Sequence, residues 1–193
     1  MKKKISLIVT IVLILSLVTG CDNTKQDDGT RVVIDCSGVE VEIPNNVERV
    51  VCTSASAVPF LLGMNVEEKI VGAHGSTLGH SWSSVFYDGF KEESGKVTLF
   101  GKNPNVEELI KSNVDLVILK DASYAEELRN SGIPAVSFKY TNKDELYKAV
   151  DMLGEIFGEE AKNYAKKWEN KLDSTTDTIE SLPFCLITLT FSE

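Results

Sequence analysis

Val114-Asp115-Leu116-Val117-Ile118-Leu119 is apolar at every position but one. A run of this kind, with no alternation of polar and apolar residues, is the pattern of a strand covered on both faces, as in a parallel sheet. Upstream, Asn105 and Glu108 have the spacing of a capping box that opens a helix through Lys111. Downstream, Ser123 and Glu126 repeat that spacing, and Gly132 supplies a stop. Ala135 to Phe138 is a further strand, and Asn142 with Glu145 opens a helix whose apolar face is Leu146, Val150, Leu153 and Phe157. Strand then helix, repeated, predicts a layered α/β domain with a mostly parallel sheet.

The same alternation extends towards the N-terminus. Arg31–Asp35 and Val39–Ile43 flank Cys36-Ser37-Gly38 and read as a hairpin, closed by a turn at Pro44-Asn45-Asn46. Arg49–Cys52 is the first core strand. It runs into Thr53-Ser54-Ala55-Ser56, a short helix ending near Gly63-Met64-Asn65, and a second strand at Lys69–Ala73. His74 to Gly95 is a long irregular stretch rich in glycine, serine and aromatics, a kind of loop that often carries function. From residue 159 the pattern changes. Ala161, Ala165, Trp168, Leu172, Thr175, Ile179 and Leu182 form one stripe along a helix spanning 159–182, after which Pro183 stops it and F-C-L-I-T-L-T-F reads as a strand within a tail of 183–193.

The first 21 residues are M-K-K-K-I-S-L-I-V-T-I-V-L-I-L-S-L-V-T-G-C. A basic end, an apolar run from Ile5 to Val18 and small residues at a cut site make a secretory signal, shorter than the ~20 apolar residues of a membrane span. L-V-T-G-C resembles the bacterial lipobox. It predicts a signal peptide over 1–20, lipid on Cys21, and a polar tether over 21–30. The alternative is an ordinary signal peptide with a chance cysteine. The chain has 20 basic and 29 acidic residues; without Lys2, Lys3 and Lys4 there are 17 against 29, a net charge of −12. Such a surface repels nucleic acid, and any hold on an anionic bilayer would come from the lipid. Cys36, Cys52 and Cys185 show no metal-ligand spacing. Cys36 and Cys52 read as buried thiols, though their pairing stays open in an exported protein.

Six pieces of this sequence, in this order, resemble the substrate-binding lipoproteins of ABC importers for ferric siderophores, haem and vitamin B12. They are V-I-D-C-S-G-V-E-V-E-I-P (33–44), Arg49-Val50-Val51, F-L-L-G-M-N-V-E-E-K-I-V-G (60–72), Asn105-Val106-Glu107, V-D-L-V-I (114–118) and Gly132-Ile133-Pro134. Val114 stands where the family usually has proline. The resemblance covers about 31–182. It implies a Rossmann-like N-terminal lobe over 31–158, then a long spine helix over 159–182, in a bilobed protein whose ligand lies between two lobes. A second lobe of more than a hundred residues would follow, so the chain reads as a truncated member, with the 183–193 tail its remnant or substitute. The resemblance also implies an extracytoplasmic, lipid-anchored partner of permease subunits. In it, Glu107 would pair with arginines on the membrane subunit. The plainer reading of Glu107 is a carboxylate suited to a helix N-terminus.

Ligands of open parallel sheets bind beyond the carboxyl ends of the strands. Three places qualify. Ser54 and Ser56 offer hydroxyls and amides to an anionic group, unless they merely cap the next helix. His74, His80, Trp82, Phe86 and Tyr87 would face a large planar or greasy chelate, unless the aromatics simply pack beneath the loop. Phe100 and Lys102, with Lys120, would meet a carboxylate or phosphate, unless the lysines are plain surface residues. His74 and His80 are too few for a metal site of their own. No catalytic or cofactor motif is present, no cofactor is expected, and the chain does not read as an enzyme. The function expected is capture of a ferric siderophore, haem or corrinoid for an importer. The alternatives are a relic that binds nothing, or a metal-binding protein or enzyme using His74 and His80.

Overall fold

The computed structural model describes residues 29–78 and 81–180. The hairpin forms: β1 (Thr30–Ile34) pairs antiparallel with β2 (Glu40–Pro44). The main sheet has β3 (Val50–Cys52), β4 (Ile70–His74), β5 (Thr98–Phe100), β6 (Leu116–Leu119) and β7 (Ala135–Ser137), all parallel, in the order β5-β4-β3-β6-β7. The helices are α1 (Val58–Gly63), α2 (Ser81–Phe86), α3 (Val106–Lys111), α4 (Ala122–Asn130), α5 (Lys143–Phe157) and α6 (Glu159–Glu180). The sequence does not flag β5. It follows just after the long irregular stretch of 74–95, which itself contains α2 and two short 3-10 turns at Asp88–Phe90 and Glu92–Ser94. The expected tail strand lies outside the described residues.

The unbroken apolar run is the centre of the sheet. Leu116, Val117, Ile118 and Leu119 are all buried, and the first three pair in register with Val50, Val51 and Cys52. Successive side chains of a strand point to opposite faces. Accordingly Val50, Cys52, Leu116 and Ile118 join the layer made with α1, α5 and α6, while Val51, Val117 and Leu119 meet Leu109 of α3 and Leu128 of α4. Asp115, the one polar residue of the run, stands just before β6. Its Oδ2 accepts from the amides of Glu48 and Arg49 at 2.9 and 2.8 Å, and its own amide donates to Arg49 O at 2.8 Å. That carboxylate therefore sets where β3 starts relative to β6.

Capping follows two of the three sequence signals. Asn142 Oδ1 accepts from the Glu145 amide at 2.9 Å, and Asn105 Oδ1 accepts from the Glu107 amide at 2.8 Å. The third is corrected. Asp121, not Ser123, caps α4, accepting from the amides of Ser123 and Tyr124. Asp121, two residues earlier, offers a charged acceptor to the amides that begin the helix, Ser123 and Tyr124, so the helix starts before Ser123 could cap it.

Helix α6 follows Gly158, whose φ of +93° turns the chain back so that α6 packs antiparallel on α5. Ala161 and Ala165 of the expected stripe are buried and Trp168 is half-buried, stacked edge-on with Phe60 at 5.0 Å and Tyr147 at 5.8 Å. Glu169 lies in the same seam with Oε1 buried and unpartnered among the described residues. Burial first, then the charges of Asp151 and Asp173, hold its carboxyl above its usual range. A carboxyl raised in the folded state favours folding at low pH, and that contribution fades as pH rises through the folded value. Glu169→Gln is therefore expected to raise Tm at neutral pH by about 1–3 °C, the gain being limited by solvent screening, and to leave it unchanged near pH 3.5. Thermal scans at the two pH values check this.

Candidate functional site

In the order β5-β4-β3-β6-β7 the chain leaves β3 in one direction and returns to its other side with β6. The carboxyl ends of β3 and β6 thus diverge into a crevice, the place where open α/β sheets bind ligands. A cavity of about 280 Å³ lies there, lined by Thr53, Ser54, Ser56, His74, Lys102 and Lys120, with Ala55, Asn103 and Asp121. Residues after four different strands meet in it.

Each wall is fixed by backbone bonds. The amides of Thr53 and Ser54 both donate to Ile118 O, at 2.9 and 3.4 Å, which ties the floor to β6. Ser54 is buried, and its Oγ lies 3.1 Å from Ser56 Oγ. When one hydroxyl donates to the other, the second keeps its proton for a ligand. Neither serine caps α1, whose N-cap is Ala57 with no side-chain bond. That removes the plainer account of these hydroxyls. The loop bearing Lys102 and Asn103 is held by Tyr124, whose hydroxyl donates to Pro104 O at 2.6 Å. Asp121 spends its carboxylate on the start of α4, so the mouth keeps two exposed lysines against an acid already engaged. His74 ends β4, and its Nδ1 lies 2.8 Å from Ser76 Oγ and accepts from the Ser76 amide at 3.1 Å. The arrangement is a small cup that sets two lysines, a histidine and serine hydroxyls on an otherwise largely apolar wall, in a chain of net charge −9, and it suits an anionic or oxygen-rich group.

Of the residues expected from sequence, Ser54, Ser56, His74, Lys102 and Lys120 come together. Three aromatics do not. Tyr87 is buried, stacked edge-on with Phe90 at 5.1 Å, and its hydroxyl donates to Glu68 Oε2 at 3.1 Å. Phe100 is 4% exposed because alternation along β5 turns it into the core against Gly72, where no Cβ would fit beneath the ring. Trp82 lines a separate apolar cleft of about 490 Å³ with Pro59, Leu62 and Phe86, between α1 and α2. His80 and Cys21 lie outside the described residues. Glu107 is exposed in the first turn of α3 and takes no part in lining the cavity. Ser76 was not legible as a site residue, since only the folded turn brings it onto the imidazole. Cys36 and Cys52 are both free thiols. Burial pushes the Cys52 thiol up to about 12, and its Sγ donates to Ser54 O at 3.4 Å beneath the cavity floor. Cys52 should stay unalkylated by iodoacetamide at pH 8 in the native protein and react fully in urea, as peptide mass spectrometry will show.

The model of a family described as periplasmic binding protein matches residues 50–182, which spans β3 through α6 and every described residue lining the cavity. The chain belongs to this family. Over 180 residues it is 25% identical to YvrC of Bacillus subtilis (strain 168), named an uncharacterized ABC transporter substrate-binding lipoprotein, covering 84% of this chain and 54% of that one. It is 28% identical over 127 residues to a protein of the same organism named "Probable siderophore-binding lipoprotein YfiY", covering 61% of this chain and 37% of that one. Among solved structures, the periplasmic solute binding protein of Veillonella parvula DSM 2008 superposes with a TM-score of 0.64 at 24% identity, over 81% of this chain and 50% of that one. The binding-protein fold is thus shared, and the chain spans about half the length of the relatives it matches. This is a family of solute-binding proteins rather than enzymes.

Proposed function

We propose that this chain is the ligand-binding component, or one ligand-binding lobe, of an ABC importer that takes up an iron chelate, haem or a corrinoid. The observation that carries the reading is the convergence of Ser54, Ser56, His74, Lys102 and Lys120 on one cavity at the switch point of the sheet. Relatives named as substrate-binding and siderophore-binding lipoproteins support the class of cargo. The α/β lobe forms one wall of the site and α6 is the spine beside it. Glu107, exposed at the sheet's carboxyl end, is the contact offered to a permease. Cys21 carries the lipid that holds the protein outside the cell membrane. A cavity below the usual ~300–1,000 Å³ of complete small-molecule sites grips part of a chelate, so binding to this chain is micromolar rather than nanomolar.

Isothermal titration of the full chain with ferric tris-catecholate, ferric hydroxamate, haemin, cyanocobalamin and zinc tests this. Saturable binding of at least one iron chelate or tetrapyrrole, weakening as salt rises, is expected. Tight zinc binding with no response to the others, or silence towards all, contradicts it.

A further inference from the structure

His74 sits on the cavity wall with one ring nitrogen already committed. The backbone N–H of Ser76 points at Nδ1 from 3.1 Å, and Ser76 Oγ lies 2.8 Å from the same atom. A backbone amide can only donate, so Nδ1 must offer its lone pair, and the ring proton of the neutral imidazole is on Nε2. Nε2 has no partner among the described residues. Metal-bound imidazoles show the opposite arrangement. The ligating nitrogen gives its lone pair to the metal while the other ring N–H donates to a carbonyl, carboxylate or water. Were His74 to ligate a metal through Nε2, its Nδ1–H would be driven against the Ser76 N–H, donor against donor.

We infer that Ser76 is a positioning residue that holds His74 as its Nε2–H tautomer, making His74 a hydrogen-bond donor to an oxyanion in the cavity and not a ligand to iron. This rests on the proposed ligand site and narrows its cargo. An iron centre with an open axial position, as in haem, finds no imidazole lone pair here. A chelate whose iron is already saturated by anionic oxygens finds an N–H donor flanked by Lys102 and Lys120. The sequence offers only the spacing His74-Gly75-Ser76. The turn that closes with Thr77 N donating to His74 O at 2.8 Å brings the serine onto the ring.

Long-range ¹⁵N–¹H NMR of the two histidines in the full chain, with His74→Gln used for assignment, reads the tautomer before any ligand is added. Nδ1 of His74 is expected in the unprotonated range and Nε2 in the protonated range, and Ser76→Ala is expected to shift the Nδ1 resonance. A protonated Nδ1 overturns the inference. Haemin is then titrated. No imidazole-ligated Soret band assignable to His74 is expected, and such a band, lost in His74→Gln, overturns the inference as well. With ferric tris-catecholate, His74→Ala is expected to weaken binding about 5–10-fold, the size of one ordinary hydrogen bond at a site still open to water. Glutamine, whose amide N–H stands near the Nε2 position, is expected to restore affinity to within about 2-fold. If glutamine binds as poorly as alanine, the donor role is wrong. If no chelate binds even the wild type, the proposed importer function fails, while the tautomer and haemin readings still decide whether His74 is a donor or a ligand.

Discussion

Asp35→Ala should lower the free energy of unfolding by about 3 kcal/mol and Tm by roughly 6–12 °C, measured by urea and thermal denaturation. The side chain of Asp35 has no solvent exposure, and both its oxygens are used. Oδ1 accepts from the amides of Ser37 and Val39 at 2.8 and 3.1 Å, which shapes the hairpin turn. Oδ2 accepts from the Ser137 amide at 3.1 Å on the edge strand β7, and meets Arg129 Nη1 of α4 at 3.5 Å. One carboxylate therefore docks the hairpin onto the sheet and the helix behind it. Alanine leaves the Ser137 amide buried without an acceptor and strips Arg129 of its counter-charge, although Ala135 O still accepts from it at 2.8 Å. Breaking a buried pair by removing one partner is the costly way to break it. Asp35→Asn keeps one acceptor oxygen but turns an N–H₂ towards an N–H, so about half the loss is expected. A change in Asp35→Ala of under about 0.5 kcal/mol would show that the hairpin is not held this way.

The second large effect concerns the ligand. Reversing both charges in Lys102→Glu/Lys120→Glu should cut the affinity for an anionic ferric chelate by about 100-fold, close to 2.7 kcal/mol. Stability should not change. Both lysines are exposed, and neither has an ion-pair partner among the described residues. Each single alanine variant is expected to lose about 3–10-fold, as befits a charge that stays partly in water. The dependence on salt should flatten in the double variant. The same reversal at exposed Lys111, at the far end of α3, is the control and should leave binding within about 2-fold.

The sheet was readable from sequence because its signal is local. Four consecutive apolar residues at 116–119, too few for a helix of their own and flanked by helix-start signals, fit a doubly covered strand, and Asn142 with Glu145 marks a helix start that the fold keeps. The misses are those where a tertiary contact decides. Ser123 has the right spacing for a cap, but the charged Asp121 starts the helix two residues sooner by taking the Ser123 and Tyr124 amides. Three residues of β5 carry too little pattern to stand out. At the site, the polar members were legible by position, since Ser54, Ser56, His74, Lys102 and Lys120 all fall at or just after the carboxyl ends of strands, although capping or plain surface exposure would have given the same sequence. The aromatics were not, because a ring at a strand end can turn inward or outward. Alternation along β5 turned Phe100 inward. Glu68 and Phe90, neither adjacent in sequence, captured Tyr87. The bond from Ser76 to His74 depends on the turn itself, which a spacing of two residues does not specify.

If the cup between the ends of β3 and β6 holds the ligand, backbone amide chemical-shift mapping on the full chain will locate it there. On titration with gallium(III) tris-catecholate, the diamagnetic analogue of the ferric complex, the largest shifts should fall on Thr53, Ser54, Ser56, His74, Lys102 and Lys120. Shifts centred instead on Trp82 and Phe86 in the cleft between α1 and α2, with the cup unmoved, would contradict it.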